Sequence, residues 1–154
     1  MLKFLNILLI FSCISFAIHA QDKKSYKKLF LEGEYFFLRG DFDEARFIYS
    51  ELIKETPVNG NLDFLIGSCY LSIYGEKLKS IPYLEQAVQR ISAGYSEGSY
   101  KETNAPKESL FALARAYHIA NYFKKAKEYY NKYKTVMKLK DVADIEYVYK
   151  QIES

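Results

Sequence analysis

Gly33 and Gly67 stand 34 residues apart, and large and small residues recur around them in the same order. After Gly33 come Phe36, Ala45 twelve residues on, Tyr49 four further, Leu52 and finally Pro57. Ile66 and Gly67 are followed by Tyr70, and thirteen residues after Gly67 by Ser80, with Leu84 and Ala87 in step behind it. Leu110, Leu113, Ala114 and Tyr117 open a third copy, in which Ala126 sits twelve residues after Ala114 and Tyr130 four further on. A fixed period of this length is the mark of stacked supersecondary units, and it constrains the fold more than any single residue. Counted from Tyr26, Gly60 and Lys107, the eighth position of each copy is small and the eleventh is aromatic. The copies cover 26–59, 60–94 and 107–140. Glu32, where Leu is usual, and Asp63, where an apolar residue is usual, depart from the pattern.

The physical reading is a pair of helices per copy. Small residues at the eighth and twentieth positions let two helices approach closely, and the aromatic residues fill the space beside them. One pair cannot bury its apolar face alone, so neighbouring pairs must stack. With 3 Pro and 7 Gly in 154 residues there are few interruptions to long helices. Breaks fall where helices should reverse: Arg39 to Asp43 in the first copy, and Tyr74 to Lys77 in the second, where one residue is inserted. Residues 95–106 (YSEGSYKETNAP) fall outside the register. From Gly67 to Ala114 is 47 residues, which is one period, the inserted residue and these twelve. Gly, Ser, Asn and Pro make this segment a surface loop joining two helices, either a tolerated insertion or a partner contact.

The ends carry different signals. Met1-Leu2-Lys3, an uncharged apolar run from Phe4 to Ile18, and His19-Ala20 before a polar segment form the pattern of a cleaved secretory signal over residues 1–20. Acylation at Cys13 and an uncleaved anchor are the alternatives. Cleavage leaves a mature chain, 21–154, with Cys69 as its single cysteine, so packing rather than an internal disulfide must hold it. At the other end Asp141 can cap a helix in which Val142, Ile145, Val148, Tyr149 and Ile152 share one face, giving a capping helix over 141–153 or the start of a fourth repeat.

Composition narrows the function classes. The chain is 49% hydrophobic and 27% charged, with a net charge of +3, one unit of which is Lys3. That excess is too small to argue for nucleic acid. Lysines at 124, 125, 127, 132, 134, 138 and 140 with Tyr129, Tyr130 and Tyr133 between them form a solvated face, since the aromatics fall at core positions. No phosphate-cradling glycine loop is present, His118 is the only histidine beyond the leader, and a Cys69–His118 pairing is outweighed by a packed position for Cys69. No catalytic residue, metal or cofactor is expected.

Taken together, these positions resemble the tetratricopeptide repeat (TPR), over about residues 26–140. The resemblance implies an all-α, right-handed α-solenoid of about three helix-turn-helix repeats plus the capping helix. It also implies a non-enzymatic module that binds a protein or peptide in its concave groove. The groove-facing positions are the second, fifth, ninth and twelfth of each copy. They are Lys27, Phe30, Glu34 and Phe37; Asn61, Phe64, Ser68 and Leu71; and Glu108, Phe111, Arg115 and His118. Phe30, Phe64 and Phe111 form a ladder, expected either as groove floor or as rings partly buried between helices. The basic and Asn set that clamps a C-terminal carboxylate in some relatives is absent. Residues 79–88 (KSIPYLEQAV) and 114–134 (ARAYHIANYFKKAKEYYNKYK) further resemble N-terminal TPR domains of exported bacterial envelope proteins, which often continue into a β-propeller and an OmpA-like domain. That resemblance implies a periplasmic or outer-membrane-associated scaffold for an envelope protein. The alternative is a structural spacer, the N-terminal part of a larger OmpA-type protein. It leaves the oligomeric state and the identity of the partner open.

Overall fold

In the computed structural model, residues 26–137 and Glu146 are described. Six α-helices run through them, and no strand does. Helix α1 covers 26–39, α2 Phe42–Glu55, α3 Gly60–Ser72, α4 Ser80–Ala87, α5 Glu108–Ile119 and α6 Phe123–Met137. Each helix packs on the next from α2 through α6, which is the contact order of a solenoid of helical repeats. The expected leader, the expected capping helix and Lys138 and Lys140 lie outside the described residues, apart from Glu146.

The helix reversals have a common cause. Gly40 adopts a φ of +82°, and behind it the Gly40 and Asp41 amides donate to Phe37 O and Phe36 O at 3.1 and 3.0 Å. This pair of hydrogen bonds around a left-handed residue satisfies carbonyls of the last turn of α1 and stops it. At the same position of the third copy, Asn121 does the same with a φ of +61°, the Asn121 and Tyr122 amides reaching His118 O and Tyr117 O. Asn is the non-glycine residue that best tolerates this conformation. In the second copy the left-handed residue is Gly75, one place later, where the inserted residue shifts the turn. A short 3₁₀ turn, Lys77–Lys79, then leads into α4. The opening of α3 is capped by Asn59, whose Oδ1 accepts from the Leu62 amide at 3.0 Å.

The repeat positions are where the helices touch. A Cβ on Gly33 would lie 2.7 Å from Cε1 of Tyr49, and one on Gly67 would lie 2.6 Å from Cγ of Leu84. Ala45, Tyr49, Ser80, Leu84, Ala114, Ala126 and Tyr130 are all buried. Two clusters of buried side chains result. One, around Phe30, Tyr49, Leu62 and Ile66, joins the first pair of helices to α3; the other, around Leu84, Leu113, Tyr117 and Tyr130, joins α4 to the third pair. Phe64 packs against both. Helix α3 lies between them and is buried on most sides: Leu62, Asp63, Leu65, Ile66, Gly67, Cys69 and Leu71 are all inside.

Helix α4 is short. It ends at Ala87, passes through a 3₁₀ turn at Val88–Arg90, and turns extended at Ile91. Ile91 forms a parallel bridge with Ala105, so the helical part of the second copy ends at Arg90.

Candidate functional site

Helices α1, α3 and α5 place one face each along a common groove of about 430 Å³. Its floor and walls are Phe37 and Leu38 from α1, Phe64, Ser68, Leu71 and Ser72 from α3, and Glu108, Phe111, Ala112 and Arg115 from α5, with Phe42 at the turn. The positions follow from helix geometry: 64, 68, 71 and 72 share one face of α3, and 108, 111, 112 and 115 share one face of α5. Phe111 is held edge-on to Tyr130, centroids 5.5 Å apart, and tilted against Tyr133 at 5.3 Å. Phe37 meets Phe42 edge-on at 5.6 Å. These rings are therefore fixed in place while each leaves part of its surface open. Glu108 and Arg115 are exposed, and neither forms an ion pair among the described residues.

Seven of the groove-facing positions line this groove: Phe37, Phe64, Ser68, Leu71, Glu108, Phe111 and Arg115. The other five do not. Phe30 is 1% exposed and packs against the Tyr49 ring, centroids 6.1 Å apart. It belongs to the core, and the Phe ladder therefore has two open rungs rather than three. Asn61 is also 1% exposed; its Oδ1 accepts from Tyr95 Oη at 2.8 Å. Glu34 is half-buried and accepts from Tyr49 Oη at 2.6 Å. Lys27 lies over the Tyr100 ring, its Nζ 5.4 Å from the centroid. His118 is set edge-on to Phe123 at 5.7 Å, away from the groove.

For Asn61 and Lys27 the reason is the loop. Residues 95–106 fold back over the first ends of α1 and α3, burying Asn61 under Tyr95 and setting the Tyr100 ring against Lys27, whose side chain stays exposed. The Glu102 carboxylate organises the loop, accepting from the amides of Ser96, Thr103 and Asn104 and from Asn104 Nδ2 at 2.8–3.1 Å. Those amides, Asn104 first, hold its pKa below the usual carboxylate range. Burial pushes the Tyr95 hydroxyl well above its ordinary pKa, and Glu34, Glu97, Glu102 and Glu108 add to the shift.

Sequence reasoning missed Leu38, Phe42, Ser72 and Ala112. Ala112 and Ser72 each stand four residues after a predicted groove residue, Glu108 and Ser68, so helical spacing alone could have found them. A second surface hollow of about 500 Å³ lies on the outer side of the first pair, where Leu29, Phe36, Phe47 and Ile48 are flanked by Glu32, Asp43 and Glu44.

Cys69 is fully buried, and burial pushes its thiol up to about 12. At that value the thiolate is scarcely populated near neutrality, so the side chain serves as a small apolar filler. Among the described residues no group of three or more His, Cys, Asp or Glu is placed to hold a metal ion. No described helix is long and apolar enough to cross a membrane. The lysines of α6 at 124, 125, 127 and 132 point to solvent, with Lys125 and Lys132 lying over the Tyr117 and Tyr129 rings.

The tetratricopeptide repeat model matches residues 107–136, the α5–α6 pair. The match supports a TPR protein, a repeat class whose usual work is protein–protein interaction without catalysis. No curated protein matches the chain.

Proposed function

We propose that the chain is an exported scaffold of the bacterial envelope that binds a partner protein through the open groove between α1, α3 and α5. The observation that carries this reading is the groove itself. Phe37, Phe64, Leu71 and Phe111 present an apolar floor, bounded along α5 by Glu108 at one end and Arg115 at the other. Rigid aromatic anchors in a concavity with a charged rim are the usual makings of a peptide or helix site. Glu108 and Arg115 are seven residues apart, about 10 Å along the helix axis. A partner segment that crosses the floor with a basic group toward Glu108 and an acidic group toward Arg115 satisfies both charges. The envelope setting rests on the leader pattern of residues 1–20 and on the resemblance to exported TPR domains.

The test is peptide selection from a random display library against the chain expressed from its full sequence, followed by affinity measurement on the Phe64→Ala/Phe111→Ala double variant and on Arg115→Glu. Binding that falls at least tenfold in the double variant, with helicity by circular dichroism unchanged, supports the groove, a tenfold loss corresponding to about 1.4 kcal/mol. Binding untouched by both variants refutes it. Terminal sequencing of the chain recovered from the periplasm addresses export: a start at Gln21 supports it.

A further inference from the structure

The twelve-residue insertion does more than join two helices. The Gly60 amide, the first of α3, has no acceptor within its own helix, as holds for the opening turn of any helix. Its acceptor is the Thr103 carbonyl, at 2.8 Å. Gly60 also approaches the loop closely: a Cβ there would lie 2.8 Å from Arg90 Cβ and 3.2 Å from the Ala105 amide. Tyr95 is bonded to Asn61, and Tyr100 packs against the first core cluster under Lys27. The base of the loop is tied twice, by Ala105 N to Arg90 O at 2.9 Å and Ser92 N to Ala105 O at 3.1 Å. Ala105 and Pro106 are buried.

We propose that residues 95–106 are a fixed internal occupant of the upper concave face, and that they admit a partner only as a short segment in the lower half, between Phe37, Leu71 and Arg115. The inference rests on the groove reading above and adds a specificity element to it. The loop takes the place an extended ligand would take across Lys27 and Asn61, and it uses such a ligand's contacts: a tyrosine hydroxyl on an amide side chain, a ring under an ammonium, and a carbonyl on a free helix amide. A lid would leave those groups open to water for part of the time. A loop stapled at its base, organised around one carboxylate and bonded to the helix start gives up all of these bonds at once if it lifts. What remains for a partner is an apolar floor that carries the Phe37, Phe64 and Phe111 rings, with Arg115 at its end. The admitted segment is therefore a few residues of apolar chain carrying a carboxylate, rather than a strand running the length of the solenoid.

Two measurements on the full chain test this. The first is hydrogen exchange at the Gly60 amide, whose only acceptor belongs to the loop. Protection within about tenfold of the Leu113 amide in the second core cluster is expected. Exchange near the rate of an unstructured peptide would mean that the loop lifts freely, and would overturn the fixed occupant. The second uses peptides selected from the random library, mapped by amide chemical shifts. In the intact chain the shifts are expected at Ser68, Leu71, Phe111 and Arg115 and not at Lys27 or Asn61. Trimming the peptides outside the mapped segment should change affinity less than about threefold, under 1 kcal/mol. A variant with residues 93–104 replaced by a Gly-Ser-Gly-Ser-Gly linker should then accept longer peptides that also shift Lys27 and Asn61. Shifts at Lys27 and Asn61 in the intact chain would overturn the loop's role while leaving the groove as a binding site. Failure to recover any peptide on either chain would overturn the groove reading itself, and Gly60 exchange would still decide whether the loop is fixed.

Discussion

Tyr95 Oη donates to Asn61 Oδ1 at 2.8 Å, joining the insertion to the start of α3 across 34 residues of sequence. Asn61 is fully buried, so its amide oxygen has lost water and depends on that hydroxyl. Tyr95→Phe keeps the ring and removes only the donor. The expected cost is about 1–3 kcal/mol of stability, the penalty for a buried polar atom left without a partner. Asn61→Leu combined with Tyr95→Phe should restore part of the loss, and chemical denaturation of the two variants measures it.

Gly33 and Gly67 should not tolerate a methyl group. At Gly33 the obstacle is the Tyr49 ring, fixed by its bond to Glu34; at Gly67 it is Leu84, with no free surface to retreat to. Gly33→Ala and Gly67→Ala are each expected to cost about 1–3 kcal/mol through overpacking. The gain in helix propensity, about 1 kcal/mol, offsets part of this. Thermal melting reads the net loss, and an unchanged midpoint in both would refute the close approach.

Asp63 makes stability depend on pH. It is 7% exposed, and burial raises its pKa from 3.8 to about 6, with Arg90 pulling partly the other way. A folded value above the unfolded one means that the folded chain binds the proton more tightly. This contribution is fully present below about pH 4 and is lost as the pH rises through about 6. Asp63→Asn should therefore be more stable than the parent at pH 7, by on the order of 2 kcal/mol. The difference between the two proteins should shrink toward pH 4. A parent-to-variant difference that does not vary between pH 4 and 7 would contradict the assignment.

Phe30 and Phe64 separate stability from binding. Phe30→Ala empties the first core cluster and should cost about 3–5 kcal/mol. Phe64 and Phe111 are only partly covered, so truncating them should cost less stability while removing the groove floor. Denaturation midpoints and peptide affinity measured side by side resolve the two effects.

Cys69 should be silent toward thiol reagents in the folded chain. Its modification rate is expected to follow global unfolding rather than thiolate content, and to rise in step with added urea. Rapid labelling without denaturant would overturn its buried placement.

The repeat was legible because it is written in contacts rather than in propensity. The spacings among Gly33, Ala45 and Tyr49 encode how near two helices can come, and Gly67, Ser80 and Leu84 carry the same message through a one-residue insertion. Gly40 fell within a reversal the sequence marked, whereas the left-handed Asn121 was less visible, because Asn is also an ordinary surface residue. The groove was half legible. Phe64, Ser68, Phe111 and Arg115 on the later repeats could be placed from the repeat alone. Phe30 and Glu34 are taken up by Tyr49, and the surroundings of Asn61 and Lys27 depend on Tyr95 and Tyr100 of the insertion. Those residues belong to no repeat, and their fold is governed by Glu102 and the Ile91–Ala105 bridge rather than by any period.

The bridge at Ile91 and Ala105 has one more effect. It draws the two ends of the insertion together, so that from the viewpoint of the stacked helices the intervening residues form a closed excursion. Lengthening such an excursion costs little, about 0.6 kcal/mol for each doubling. The repeats thus act as a frame, and the tip of the excursion as its variable part. Ser96 to Ser99, which bond within the excursion, can change in sequence and length without breaking a bond to the helices, whereas Tyr95, Tyr100 and Thr103 hold it to α1 and α3. A constant support with one variable loop tip is the division of labour that antibody domains also show.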